Sequence, residues 1–212
     1  WFAEFTEAGA RCTTDLGALA EAEIVFLCLP GADTVRSVLF GDNGLADRLR
    51  PGQTVVDLST LPYAATVEIG QRLAAKGIDF LDAPVSGMEA RAINGTLTVM
   101  CGGMPDVFTR VRPQFDLIGN RILHMGPVGS GQLTKLVNQV LFDINAAALA
   151  EVLPMAARMG LDPDMVGDVI NSGTGRSHAS EFFIPRILRG NFSDGYPMEA
   201  AYKDLVSAAG LS

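Results

Sequence analysis

Short apolar runs closed by turn residues mark the first 125 positions of the chain. Residues 24–29 (Ile-Val-Phe-Leu-Cys-Leu) end at Pro30-Gly31, residues 54–57 follow Pro51-Gly52, and further runs cover 78–82, 97–101 and 121–124. Apolar runs of this length predict strands buried on both faces, as in a parallel sheet. Helical spacing separates most of them. Residues 62–76 have Ser59 or Thr60 to cap their start and Gly77 to stop them, and residues 105–117 follow a first-turn proline. Strands alternating with such helices predict βαβ units. After residue 125 no strand pattern survives. Helical patterns then cover 130–159, 163–171, 180–188 and 198 onward. The predicted fold is α/β: a parallel-sheet domain over 1–125, then an all-α domain over 126–212 with a long central helix.

The polar exceptions on that long helix are the informative ones. Leu133, Leu136, Val137, Val140, Leu141 and Ile144 cover most of its circumference, which predicts a buried helix. Lys135 and Asn138, three residues apart, then share a face. A buried lysine needs a reason, and one is chemical: desolvation lowers its pKa towards a range where it can exchange a proton. Ligands of open α/β sheets bind beyond the carboxyl ends of the strands. Three such ends carry Gly/Pro or hydroxyl turns: Pro30-Gly31, Leu58-Ser-Thr-Leu-Pro62 and Ala83-Pro-Val-Ser-Gly87.

Composition narrows the function classes. The 212 residues are 48% hydrophobic and 19% charged, as in a globular chain, with a net charge of −8. A pI near 4.7 argues against a nucleic-acid surface. No apolar run approaches the roughly 20 residues of a membrane helix, and the start shows no signal or transit peptide. No membrane partner and a cytoplasmic location are therefore expected. Cys12, Cys28 and Cys101 lack metal-ligand spacing, as do His124 and His178, so no metal site is expected. Cys28 and Cys101, inside strand runs, are expected to be small buried hydrophobes.

Several motifs stand in one order: Asp82-Ala-Pro-Val-Ser-Gly87, Asn94-Gly-Thr-Leu97, Met100-Cys-Gly-Gly103, Gly126-Pro-Val-Gly-Ser-Gly131, Lys135-Leu-Val-Asn138 and Lys203-Asp-Leu205. Together they resemble the β-hydroxyacid dehydrogenase family, which includes 3-hydroxyisobutyrate dehydrogenases and 2-hydroxy-3-oxopropionate (tartronate semialdehyde) reductases. The resemblance runs the length of the chain. It implies a Rossmann-like domain and an NAD- or NADP-dependent oxidoreductase that moves a hydride to or from a small β-hydroxy acid or its semialdehyde. By the same resemblance Lys135 is the catalytic acid/base and Asn138 orients the substrate or the lysine. Ser86 and the backbone of Gly87 hold the substrate carboxylate, while Leu29, Pro30, Thr60 and Lys203 contact the dinucleotide. The apolar faces of the helical domain point to a homodimer or homotetramer.

The chain also departs from the family. A Gly-x-Gly-x-x-Gly fingerprint, expected roughly 30 residues ahead of the run at 24–29, is absent, and helical patterns open and close the chain. The expectation is therefore part of a longer protein, without the first βα unit and with the helical domain cut short. Beyond Ser86-Gly87 the family continues with small residues, whereas this chain has Met88-Glu-Ala-Arg91. Met88 is expected to narrow a pocket. Arg91 is either a second anion contact or, as expected of a surface arginine, solvated. Two other readings stand beside the dehydrogenase: an imine reductase of similar architecture, which Lys135 opposes, and a non-catalytic, self-associating relative.

Overall fold

The computed structural model describes residues 2–193 and 195–211. The chain divides into two compact units, Trp1–Leu133 and Thr134–Ser212.

In the first unit, helices α1 (Phe2–Glu7) and α2 (Leu16–Leu19) precede strand β1 (Ile24–Leu27). Helix α3 (Ala32–Phe40) leads to β2 (Thr54–Asp57), and α4 (Tyr63–Ala74) leads to β3 (Asp79–Asp82). These three strands are parallel and in register, with Val25 opposite Val55 and Val55 opposite Phe80. Alternation along the strands loads both faces of the sheet. Val55 and Phe80 join Val35 and Leu39 of α3 and Ile69 and Leu73 of α4 on one side. Val56 and Leu81 join the helix on the other side, α6 (Pro105–Ile118), through Val107, Val111 and Phe115. The strands read as apolar runs because each is covered twice.

The rest of the sheet corrects the parallel expectation. After β3 come a short β4 (Val85–Ser86), helix α5 (Met88–Ile93) and β5 (Leu97–Gly102). β5 runs antiparallel to both β3 and β4, pairing Asp82 with Gly102, Val85 with Val99 and Ser86 with Thr98. The Met100 amide donates to the Pro84 carbonyl between those pairs. β3 and β4 thus behave as one strand, interrupted at Pro84, that runs out along β5 and returns. A parallel connection needs a crossover of a dozen or more residues, and the link carrying α5 is shorter. α6 supplies a true crossover, so β6 (Gly119–Gly126) lies parallel to β5 on its other edge.

The long helix α7 (Ser130–Arg158) begins in the first unit and continues into the second. There it is followed by α8 (Pro163–Ser172), α9 (His178–Leu188) and α10 (Met198–Ala209). The Asp162 side chain caps α8, and Ser177 and Ser180 form a capping box on α9. The core of this unit is small, with Leu149 and Leu153 of α7 against Ala179 and Ile184 of α9.

α7 corrects a second expectation. Leu136 is fully buried, but Val137, Leu141 and Ile144 are 67%, 61% and 58% exposed. An apolar circumference does not by itself supply neighbours on every side. By length and composition α7 is also apolar enough to cross a membrane, with a mean hydropathy of 1.5 over its most apolar window. No unbroken apolar run marks it, because Lys135, Asn138 and Asp143 interrupt the apolar residues without lowering the average far.

Phe115 is fully buried and meets Phe26 edge-on and Phe108 at a tilt. Phe115→Ala is expected to lower the unfolding free energy by about 3–5 kcal/mol, measured by urea denaturation.

Candidate active site

Polar groups at the carboxyl ends of β1, β2 and β3 build the rim of the first unit. Asp57 closes β2 and is fully buried, with its Oδ1 accepting the Ser59 amide at 2.9 Å. The Ser59 hydroxyl accepts the Leu29 amide at 2.9 Å, tying the β1 loop to the β2 loop. From the first turn of α7, the Gln132 side chain donates to the Ser59 carbonyl at 2.7 Å and accepts the Leu61 amide at 3.1 Å. Leu29, Pro30 and Thr60 are thereby held on adjacent loops. α3 starts behind Pro30-Gly31 with no side-chain cap, and a Cβ added at Gly31 would meet nothing within 4 Å. An uncapped helix start beside an open backbone turn suits a phosphate-bearing ligand, so these residues fit one side of a dinucleotide.

Asp82, at the end of β3, reaches the start of α7. Its Oδ1 accepts the Gly129 amide at 2.7 Å and its Oδ2 the Gln132 amide at 2.9 Å. Those are the N-cap and third-position donors of the helix, which a side chain near in sequence usually satisfies. Here the cap comes from 47 residues upstream. Gly131 makes the approach possible: a Cβ there would lie 2.7 Å from the Asp82 carbonyl oxygen and 2.8 Å from its Oδ2. Burial raises the pKa of Asp82 from 3.8 to about 6, against the pull of the helix amides. Asp57 rises to about 6 by the same cause, opposed by Ser59.

Ser86 is half-buried on β4, and Gly87 follows with φ of 141°, a conformation open to glycine. Met88 has φ of 58°, where a side chain is strained. Arg91 is not simply solvated: its Nε donates to the Thr96 carbonyl at 2.8 Å and a terminal nitrogen to Asn120 at 3.3 Å. The first bond closes the 87–96 excursion on itself, and the second ties it to β6. Cys28 also departs from expectation: it is exposed, because its side chain falls just past the end of β1, while Cys101 is buried. His124 packs on Phe108 and bonds the Gly103 carbonyl. Among the described residues no metal-ligand cluster occurs.

In the second unit Lys135 is 8% exposed. Its Nζ donates to Gln139 Oε1 at 3.0 Å. Desolvation lowers its pKa from the ordinary 10.5, Asp204 and Asp143 pull it back up, and Lys203 adds to the lowering. The helix-face partner of Lys135 is therefore Gln139, one full turn on, rather than Asn138. Asn138 is exposed, and its amide donates to the same Gln139 oxygen at 3.2 Å. Lys203 is exposed on α10, with its ammonium 3.6 Å from Asp204 Oδ1. Sequence reasoning missed Asp57, Asp82, Gln132, Gln139, Tyr196 and Asp204. Three carried a usable signal: Asp57 and Asp82 each close a short strand run, and Gln139 stands at i+4 from Lys135. Tyr196 carried none.

A three-layer α/β unit with a polar rim is thus followed by a helical unit with a buried lysine. The chain matches the family model described as the NAD binding domain of 6-phosphogluconate dehydrogenase over residues 2–126. Over residues 129–211 it matches the model described as NAD-binding of NADP-dependent 3-hydroxyisobutyrate dehydrogenase. It is 36% identical to the 2-hydroxy-3-oxopropionate reductase of Escherichia coli K12, covering 87% of this chain and 63% of that one. A 3-hydroxyisobutyrate dehydrogenase from Salmonella typhimurium superposes with a TM-score of 0.82 at 31% identity, covering 91% of this chain and 67% of that one. Psf3, solved in complex with NADP+ and 2-OPP, superposes with a TM-score of 0.90 at 28% identity, covering 98% and 74%. The chain thus spans about two thirds of the length of these relatives. It belongs to the β-hydroxyacid dehydrogenase family, and its cofactor is NAD or NADP.

Asp82→Ala leaves the Gly129 and Gln132 amides buried without an acceptor and is expected to cost about 3 kcal/mol, read by urea denaturation. Because the folded pKa of Asp82 lies above its unfolded value, the folded state binds the extra proton. That contribution to stability is present below about pH 4 and is lost as pH rises through about 6. Asp82→Asn is expected to flatten the fall in stability over that window, leaving the share due to Asp57. An unaltered slope would assign the dependence elsewhere.

Proposed function

We propose that the protein catalyses hydride transfer between a nicotinamide cofactor and a small β-hydroxy acid or its semialdehyde, with Lys135 as general acid/base. The observation that carries this reading is the burial of Lys135 beside a neutral amide acceptor, with its pKa lowered. Oxidising a hydroxyl requires a proton to leave its oxygen, and reducing an aldehyde requires one to arrive. An amine whose pKa has moved towards neutrality serves both directions, and such a group is worth roughly 10²–10⁴-fold in rate. When bound, the nicotinamide supplies the hydride acceptor or donor. The chain's own residues bind, orient and move the proton. Ser86, through its hydroxyl, and Gly87, through its backbone N–H, hold the substrate carboxylate, and Asn138 steadies the substrate or the lysine. Leu29, Pro30, Thr60 and Lys203 hold the dinucleotide. Residues 1–125 serve the cofactor, and residues 126–212 serve the substrate and self-association.

The preferred substrates are 3-hydroxyisobutyrate and 2-hydroxy-3-oxopropionate, the compounds in the names of the relatives described above. Hydride transfer to NAD+ and NADP+, or from NADH and NADPH, followed by cofactor absorbance in the intact protein, tests both. Lys135→Ala is expected to lose at least about 10²-fold in turnover while keeping its circular dichroism spectrum. A folded variant with near-normal turnover would remove Lys135 from the mechanism.

The protein also forms a homodimer or homotetramer in this proposal. Support comes from the exposed apolar residues of α7 and α8, among them Val137, Leu141, Met155, Met165 and Val169. Sedimentation velocity is expected to show a dimer or tetramer, and Leu141→Asp is expected to shift it towards monomer. A monomeric wild-type protein would overturn the assignment.

A further inference from the structure

Lys135 ends a chain of buried polar contacts that proton transfer alone does not require. Gln139, 6% exposed, lies one turn beyond it on α7. The Gln139 amide nitrogen donates to the Tyr196 hydroxyl oxygen at 3.0 Å and to Asp204 Oδ2 at 3.1 Å. The Tyr196 hydroxyl in turn donates to the same Asp204 oxygen at 3.2 Å. The three groups form a closed triangle in which every donor has one acceptor. That assignment orients the amide, because both N–H groups of Gln139 are committed and its Oε1 must face Lys135. Asp204 is 5% exposed; among the described residues the hydrogen bonds to its carboxylate fall on Oδ2, while Oδ1 lies 3.6 Å from the Lys203 ammonium. Burial and the nearby carboxylates push the Tyr196 phenol well above its ordinary pKa, so it remains a donor.

We propose that Tyr196 and Asp204 clamp Gln139, and that the clamped amide positions the Lys135 amine. The proposal rests on the reading of Lys135 as the proton carrier. Gln139, Tyr196 and Asp204 are positioning residues in it.

The chemistry of the acceptor supports this arrangement. A carboxylate bonded directly to Lys135 would hold the ammonium and oppose release of its proton. An amide carbonyl accepts an N–H from the ammonium and from the neutral amine alike, so the bond persists through the proton transfer. The charge of Asp204 then acts from one hydrogen bond further away. It offsets the desolvation of the ammonium without bonding to it. The charged and titratable groups around Lys135 are Asp143 on its own helix, Lys203 and Asp204 on α10, and Tyr196 ahead of α10. Of these, Asp204 exerts the largest electrostatic effect on Lys135, and it raises the pKa.

Two variants test the clamp in the intact protein. Isotope-edited NMR of the Lys135 ε-methylene, assigned by its loss in Lys135→Met, follows the amine titration without substrate or cofactor. Asp204→Asn is expected to lower the midpoint by about one pH unit, because burial is then less opposed. Tyr196→Phe removes a single hydroxyl and is expected to lower kcat about tenfold on the better of the two substrates above, with KM changed less than about twofold. An unchanged Lys135 midpoint in Asp204→Asn overturns the clamp. So does a Tyr196→Phe enzyme with wild-type kcat, or one in which KM alone rises. Should Asp204→Asn fail to fold, the Tyr196→Phe result decides. The titration is read independently of turnover, so failure of the clamp is distinguishable from failure of Lys135 as proton carrier, which the Lys135→Ala assay reports.

Discussion

The bond between the Asp82 carboxylate and the start of α7 is the constraint on which the site side of the first unit depends. A helix start exposes four amides without intrahelical partners, and here two of them end on one carboxylate at the tip of β3. The arrangement is electrostatically favourable, since a negative charge faces the positive end of the helix dipole. It is also costly, because the carboxylate is buried, and burial dominates its pKa. The close approach that it demands explains Gly131, whose position against the β3 backbone has no room for a side chain. Gln132 follows from the same geometry: with its amide held by Asp82, its side chain reaches Ser59 and Leu61 and sets the β2 loop. One buried cap thus orders two of the loops on the ligand side of the sheet.

The second unit solves a related problem with opposite charge. A buried ammonium is unfavourable, and the chain neither neutralises Lys135 with a direct carboxylate bond nor leaves it alone. It supplies an amide at contact distance and two carboxylates that act electrostatically. The result is an amine whose two protonation states lie closer in energy than in water. Structural lysines are not usually held this way, since snorkelling to solvent along a flexible stem is the simpler outcome.

Met88 and Arg91 show how local chemistry shapes the loop that follows β4. Where the family resemblance implies small residues, Met88 holds a positive φ, and Arg91 spends its guanidinium on Thr96 and Asn120. The excursion between β4 and β5 is therefore an organised turn built around α5. Arg91 bonds within that turn through Thr96 and ties it to β6 through Asn120.

The apolar runs at 54–57 and 97–101 sufficed to place strands, because a strand covered on both faces has little freedom in composition. The helices at 105–118 and 130–158 were legible for a similar reason, since 3.6-residue periodicity and proline or glycine boundaries are local properties. Lys135 stood out because a charge amid Leu136, Val137 and Val140 is anomalous wherever the helix packs. Strand direction was not legible: β5 turned antiparallel because a short link cannot cross over, and apolar composition is the same for either direction. Nor was the burial of α7, since Val137 and Leu141 are as apolar as Leu136 and only neighbours decide which is covered. The partners of Gln139 and of the helix start were decided by tertiary structure alone. Asp82 lies 47 residues from Gly129, and Tyr196 lies 57 from Gln139. Hydrogen bonds over such separations leave no period in the sequence, so residue pattern determined the elements and the anomalous lysine, while packing chose the groups that hold them.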